Sequence, residues 1–220
     1  MKARKVFLVL LTAGVVGTAA WLIFFSPVLG VRSVEIVGNV TVPADRIRQA
    51  AQVPDLHPLA TVDLAGVQAR VQAIRQVAGA KVDRVWPGTL RIEVAEREPV
   101  AQVPAGSQVA LIDKLGVVIE VQDVAPPLLP VLKVAAPAAG DPVTMAALKV
   151  VEGLPGELAG RVRQVAATTA EDVTLTLSDG RTVIWGGVDR PEAKARILAS
   201  MLRREAEVYD VSSPDVVTLR

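Results

Sequence analysis

No cysteine occurs in the 220 residues, and histidine occurs once, at His57. The first absence excludes a disulfide framework, a thiolate zinc site and a cysteine nucleophile; the second excludes any two-histidine metal motif. Aromatic residues make up only 3% of the chain, so the broad ring platforms that sugar recognition uses are scarce. Net charge is nearly absent too, +1 from 24 basic and 23 acidic residues. Three of the basic ones, Lys2, Arg4 and Lys5, crowd the first five positions. The remainder lacks a basic stripe able to neutralise phosphates, which argues against a nucleic-acid partner. The signatures G-x-S-x-G, H-E-x-x-H, G-x-G-x-x-G and G-x-x-x-x-G-K-[ST] do not occur, so no catalytic residue, metal ligand, cofactor or small-molecule substrate is expected. What the chain has in quantity is apolar side chains, 51% with a mean hydropathy of +0.40, which excludes long intrinsic disorder.

The apolar residues are concentrated first in one run. Residues 6–31 contain no charge and, apart from Thr12, Thr18 and Ser26, no hydroxyl. About 20 such residues in a helix cross a bilayer core of about 30 Å. The spacing predicts a cytoplasmic tail over 1–5 and a transmembrane helix over 6–28. The basic tail would stay inside, placing the rest of the chain outside. A cleavable signal peptide is the competing reading, because residues 18–20 are small. Its apolar core is typically only about 7 to 15 residues, whereas here Trp21, Leu22, Ile23, Phe24 and Phe25 carry the run further.

The outer part reads as two domains, 29–98 and 99–220, with Pro99, Pro104 and Gly106 breaking the pattern between them. In the first, Val34 and Ile36 share one face of a strand that Gly38 and Asn39 terminate. A short helix starts near Pro43, and a Pro-flanked loop holding His57 follows. Leu64, Val67, Val71 and Ile74 form the apolar stripe of a second helix capped by Asp63. A hairpin then turns at Pro87 and Gly88, with Leu90, Ile92 and Val94 alternating along its second strand. Glu93, Glu96 and Glu98 fit an exposed, solvated strand face better than a glycosidase pair. His57 has no nucleophile or orienting carboxylate in view and reads as a solvated loop residue. In the second domain Val173, Leu175 and Leu177 alternate up to a two-residue turn at Asp179 and Gly180. A helix over residues 191–206 pairs Ile197 with Met201 and Leu198 with Leu202. Lys194 falls inside that apolar stripe, where a structural role is expected. Trp86 and Trp185 are expected in the cores. Residues 209–213 and 216–220 are two short β-prone runs separated by Pro214. Their outer edge is either open to a partner strand or closed by the domain's own helix.

Several of these runs combine into a specific pattern. It comprises V-x-I-V-G-N at 34–39, V-D-R-x-W-P-G-T-L-R-I-x-V-x-E-R-E-P at 82–99, L-I-D-x-x-G-x-V at 111–118 and Leu129-Pro130. The stretches 173–187, 191–202 and 209–220 complete it. The pattern resembles the FtsQ/DivIB family of cell-division proteins over essentially the whole chain. The resemblance implies an α+β fold: a single N-terminal transmembrane helix, a POTRA-like β-α-α-β-β domain, then a β-rich domain with one packed helix. It also implies a non-enzymatic scaffold of the divisome, single-pass in the plasma membrane and enriched at the septum, linking early and late division proteins. The implied partners are FtsB- and FtsL-like proteins, with FtsW- and FtsI-like membrane proteins as further contacts. The family takes up a partner segment at the end of its β-domain. That makes Tyr209, Val211, Val216, Val217, Thr218 and Leu219 the candidate interface. The rival readings are a POTRA-type secretion or assembly factor handling unfolded β-substrates, which usually carries a β-barrel or repeated POTRA units, and an anchored cell-wall enzyme, which needs converging titratable groups in a cleft.

Overall fold

A computed structural model of the chain describes residues 2–25, 27–213 and 218–219. It divides into two compact units, Met1–Arg97 and Glu98–Arg220.

The first unit begins with α1 (Lys2–Phe25), whose stretch Arg4–Phe24 is long and apolar enough to cross a membrane. Its two threonines satisfy their hydroxyls within the helix, Thr12 donating to the Leu8 carbonyl at 2.8 Å and Thr18 to that of Gly14 at 2.9 Å. Neither hydroxyl therefore needs a partner outside the helix. A 3-10 turn (Pro27–Leu29) leads into β1 (Ser33–Val37), α2 (Ala44–Ala51), a second 3-10 turn (Leu59–Thr61), α3 (Leu64–Gln72), β2 (Val77–Val85) and β3 (Thr89–Glu96). The sheet order is β1-β3-β2, with β3 antiparallel to β2 across the short hairpin. β1 runs parallel to β3, which two intervening helices permit. Asp63 caps α3 as the spacing predicts, its Oδ1 accepting from the Gly66 amide at 3.0 Å. Val67 and Val71 from α3 meet Ile47 of α2 and Leu90 and Ile92 of β3 in one buried cluster. Full burial of each such side chain is worth about 1.5–3 kcal/mol.

Two expectations for this unit are corrected. Trp86 is not in the core; it is 50% exposed, because it sits in the turn between β2 and β3 and belongs to neither sheet face. Glu96 is not a freely solvated carboxylate. It accepts from the Val40, Thr41 and Val42 amides at 2.8–3.1 Å and from the Thr41 hydroxyl. Burial pushes this carboxyl up, but the Thr41 hydroxyl and the three amides outweigh it and bring its pKa from 4.5 to about 2. The clamp ties the end of β3 to the β1–α2 loop. Gly38, at φ +86, has no space for a Cβ there, which would lie 2.3 Å from the Val94 carbonyl oxygen.

Among the described residues the second unit is built on a nine-stranded sheet in the order β12-β11-β10-β9-β8-β7-β4-β5-β6. Its members are β4 (Ala101–Ala105), β5 (Gln108–Ile112), β6 (Val118–Gln122), β7 (Val131–Lys133), β8 (Val162–Ala167), β9 (Val173–Leu177), β10 (Thr182–Gly186), β11 (Val208–Asp210) and β12 (Thr218–Leu219). The β5–β6 turn is organised by Asp113, whose Oδ1 accepts from the Leu115 and Val117 amides at 2.9 and 2.8 Å. Helix α6 (Pro191–Met201) packs on the sheet as expected. Two further helices accompany it: α4 (Pro142–Glu152), capped by Asp141 through the Thr144 amide at 2.8 Å, and the single turn α5 (Gly156–Ala159). The run AALKVV in α4 is as compatible with a strand as with a helix, so periodicity did not single it out.

α6 ends at Met201 rather than extending to 206, and Arg204 turns back to donate its amide to the Met201 carbonyl at 2.8 Å. The β9–β10 turn holds three residues rather than two. The Leu177 amide donates to the Arg181 carbonyl at 2.8 Å, leaving 178–180 as the loop, with Gly180 at φ +89. Lys194 is fully buried, and its Nζ donates to the Gly187 carbonyl at 2.9 Å and to Asp189 Oδ1 at 3.0 Å. The ammonium joins α6 to the end of β10, the structural role its place in the stripe foreshadowed.

Candidate partner-binding edge

β10 and β11 are parallel, so the chain must cross over between them, and α6 is that crossover. β11 is therefore delivered to the sheet by a helix rather than by a hairpin. Its register is Thr182 opposite Val208, Val183 opposite Tyr209 and Ile184 opposite Asp210. The Val211 amide extends the ladder by donating to the Ile184 carbonyl at 3.0 Å. β12 then pairs antiparallel with β11, Leu219 opposite Tyr209 and Thr218 opposite Asp210. Among the described residues it is the outermost strand on this side of the sheet.

The candidate interface residues separate into three groups. Tyr209 and Val211 have no exposed surface and belong to the hydrophobic core, so their side chains hold the edge from within instead of facing a partner. Thr218 and Leu219 form β12 itself. Val216 and Val217 lie outside the described residues.

What fastens β11 in place is a polar cluster that strand patterning did not reveal. Arg181, just before β10, donates through Nη1 to the Tyr209 hydroxyl at 2.9 Å and to the Leu202 carbonyl at 3.2 Å. Its Nε and Nη2 reach Asp179 Oδ2 at 2.9 and 2.7 Å. The guanidinium carbon lies 5.4 Å from the centroid of the Tyr209 ring, a cation–π distance. The Tyr209 hydroxyl in turn donates to the Arg204 carbonyl at 2.7 Å. One arginine thus joins the β9–β10 turn, the α6 terminus and β11. The hydrogen bonds that Arg181 donates to Asp179 and then to Tyr209 raise its pKa against the opposing effect of burial. Arg181, its own amide and Arg161 hold the Asp179 carboxyl well below the usual carboxylate range.

Gly186 makes the close approach behind this edge possible. At φ +75, a Cβ there would lie 2.8 Å from Ser212 Cβ, so the segment leaving β11 packs directly on the end of β10. Asp210 Oδ1 accepts from the Ser212 amide at 3.0 Å and its hydroxyl at 2.7 Å, turning the chain as it leaves the strand. The signal for Arg181 was only its position after a D-G turn; its partner Tyr209 arrives from the far side of a crossover helix. Beside α5 and α6 a groove of about 510 Å³ is lined by Glu157, Arg161, Glu192, Arg196 and Arg203 with apolar neighbours.

Comparison with known proteins bears directly on this architecture. The family described as POTRA domain, FtsQ-type, matches residues 29–97, and that described as cell division protein FtsQ/DivIB, C-terminal, matches residues 101–220. Cell division protein FtsQ of Mycobacterium tuberculosis is 39% identical over 221 residues, covering 100% of this chain and 70% of its own length. That of Mycolicibacterium smegmatis is 41% identical over 199 residues, covering 90% of this chain and 60% of its own. A solved extracytoplasmic domain of DivIB from Geobacillus stearothermophilus matches at TM-score 0.37 and 19% identity, over 50% of this chain and 98% of that one. An apolar helix long enough to span a membrane, a POTRA domain and a β-rich C-terminal domain therefore occur here in one chain, which belongs to the FtsQ/DivIB family of cell-division proteins.

Proposed function

We propose that this protein is a non-enzymatic, single-pass scaffold of the divisome that receives a partner's strand at the β12 edge. Residues 1–5 lie in the cytoplasm, 6–28 cross the plasma membrane, and the POTRA domain (29–98) and β-rich domain (99–220) stand outside it at the septum. The partner is an FtsB-like single-pass protein that travels with an FtsL-like one, and FtsW- and FtsI-like proteins complete the set that the scaffold connects. In this reading Val216, Val217, Thr218 and Leu219 supply the outer contacts, while Tyr209 and Val211 fix the strand on which those contacts rest.

The observation that carries the reading is the terminal place of β12 in the sheet among the described residues, next to a β11 held by buried Tyr209 and its partner Arg181. A two-residue strand on a rigid neighbour offers main-chain donors and acceptors to an added strand, which yields affinity from the backbone and selectivity from alternate side chains. The experiment is in-cell photo-crosslinking from position 217, with exposed Arg203, in the turn after α6, as the control site. Adducts with a small single-pass division protein from 217 alone are expected. Adducts with diverse secreted β-rich chains would instead assign the protein to secretion, and none from 217 would remove the edge from consideration.

A further inference from the structure

Three exposed apolar side chains of the first unit, Val28, Leu56 and Trp86, come from distant parts of the sequence and share one structural neighbour: the segment that leaves α1. Residues 26–31 span at most about 20 Å even when fully extended, and part of that length is coiled in the 3-10 turn. Immediately after it, the Val31 amide donates to the His57 carbonyl and the Leu56 amide to the Val31 carbonyl, both at 2.9 Å. The Arg32 amide donates to the Gly88 carbonyl at 2.8 Å. Gly30 is the packing point for both loops. A Cβ on it would lie 2.4 Å from the Leu56 carbonyl oxygen, and one on Gly88 would lie 3.0 Å from the Gly30 carbonyl oxygen. The Leu56 loop and the Trp86 turn are therefore bonded to the residues nearest the end of the membrane helix.

At this end Val28 is 57% exposed, Leu56 53% and Trp86 50%. Leu56 also holds a left-handed backbone, φ +59, which disfavours a branched, bulky residue. With 53% of its surface exposed, Leu56 recovers that cost only in part through packing within the domain. We propose that these three side chains form a lipid-contacting surface that settles into the headgroup and acyl boundary of the bilayer α1 spans. The proposal rests on the insertion of α1 and is independent of the partner bound at β12. Tryptophan suits that boundary, with an apolar ring for the acyl side and an N–H for the wet side. Arg32 and Asp55, both exposed, flank the patch with opposite charges, so burial of apolar surface rather than attraction to anionic lipid drives the contact. Tethering by α1 keeps the patch at high effective concentration, so weak contacts suffice. The consequence is an orientation: the β1-β3 axis is held at a set angle to the membrane. Val40, 88% exposed, lies beyond the other end of β1 and serves as the internal contrast.

The chain contains no cysteine, so single-cysteine labelling needs no background removal. Full-length Leu56→Cys, Trp86→Cys, Val40→Cys and Val16→Cys proteins, each labelled with an environment-sensitive fluorophore, are placed in phosphatidylcholine nanodiscs with and without brominated acyl chains. Quenching at 56 and 86 is expected to exceed that at 40 about threefold and to approach that at 16 within about twofold. Quenching at 16 with 56 and 86 no stronger than 40 would overturn the proposal and leave the anchor intact. No quenching at 16 would overturn both. A label-free measurement guards against misfolded variants. Brominated lipid should lower the tryptophan emission of Trp21→Phe but not of Trp21→Phe/Trp86→Phe, because Trp185 is fully buried. Equal emission changes in the two would also overturn the proposal.

Discussion

Each unit contains a carboxylate whose ionised form is held by specific donors, and the two are held differently. Glu96 is surrounded by three backbone amides and a hydroxyl, with no cation among these partners. Asp179 is held by two guanidinium groups, those of Arg181 and Arg161, besides one amide. In the POTRA unit the loop itself wraps the charge, so the clamp depends on loop conformation. In the β-rich unit charged side chains hold it, Arg181 from two residues further along the same turn and Arg161 from just before β8, so the clamp depends on charge. Main-chain clamps are insensitive to salt, whereas partly exposed ion pairs are screened.

The strongest way to separate the units is to place a charge in one core. Ile92→Asp should cost the POTRA unit about 3–5 kcal/mol, enough to unfold it, while hydrogen exchange across β8, β9 and β10 stays protected. Loss of protection in both units together would show that they fold as one. Next in size is Tyr209→Ala, expected to cost about 3–5 kcal/mol by emptying a core site. Tyr209→Phe should cost only about 1–2 kcal/mol, by removing the hydroxyl from Arg181 and Arg204. Equal losses in denaturant melts would mean that the hydrogen bonds and not the ring hold β11.

Glu96→Gln should destabilise the POTRA unit by about 1 kcal/mol, discounted for partial exposure, and the loss should be the same in low and high salt. Asp179→Asn should lose its effect as salt rises; identical salt responses would break the distinction. Acid sharpens it further. Glu96 is depressed from 4.5 to about 2 on folding, so its contribution is complete above pH 4.5 and disappears as pH falls toward 2. Melting of the POTRA unit should follow that window in the native protein and flatten in Glu96→Gln. Smallest of all is Glu93→Ala, on the exposed face of β3, which should change stability by less than about 0.5 kcal/mol.

The neighbouring glutamates mark where local reading stops. Glu93 and Glu96 differ by three positions on one strand, so alternation places them on opposite faces, Glu93 outward and Glu96 on the side of Leu90, Ile92 and Val94. Only the folded β1–α2 loop, brought back over the end of β3, supplies the amides and the hydroxyl that clamp Glu96. Trp86 illustrates the converse: ring size argued for burial, but a turn residue has no sheet face to bury it against. α4 escaped notice because its small apolar run fits either backbone period, and its identity rests on the Asp141 cap and on packing against β8 and β9.

Features whose physical signal is short in range were legible from neighbouring residues alone. The membrane helix follows from an uncharged run of sufficient length. α3 follows from apolar residues three and four apart behind Asp63, and β3 and β9 follow from strict alternation. The strand, helix, helix, strand, strand order of the first unit was legible for the same reason. Only the tertiary structure decided that β11 lies beside β10, that Tyr209 and Val211 point inward, and that Arg181 meets Tyr209. Those facts depend on a register set across a crossover helix, where residues 28 positions apart become hydrogen-bonded, and no local period encodes such a meeting.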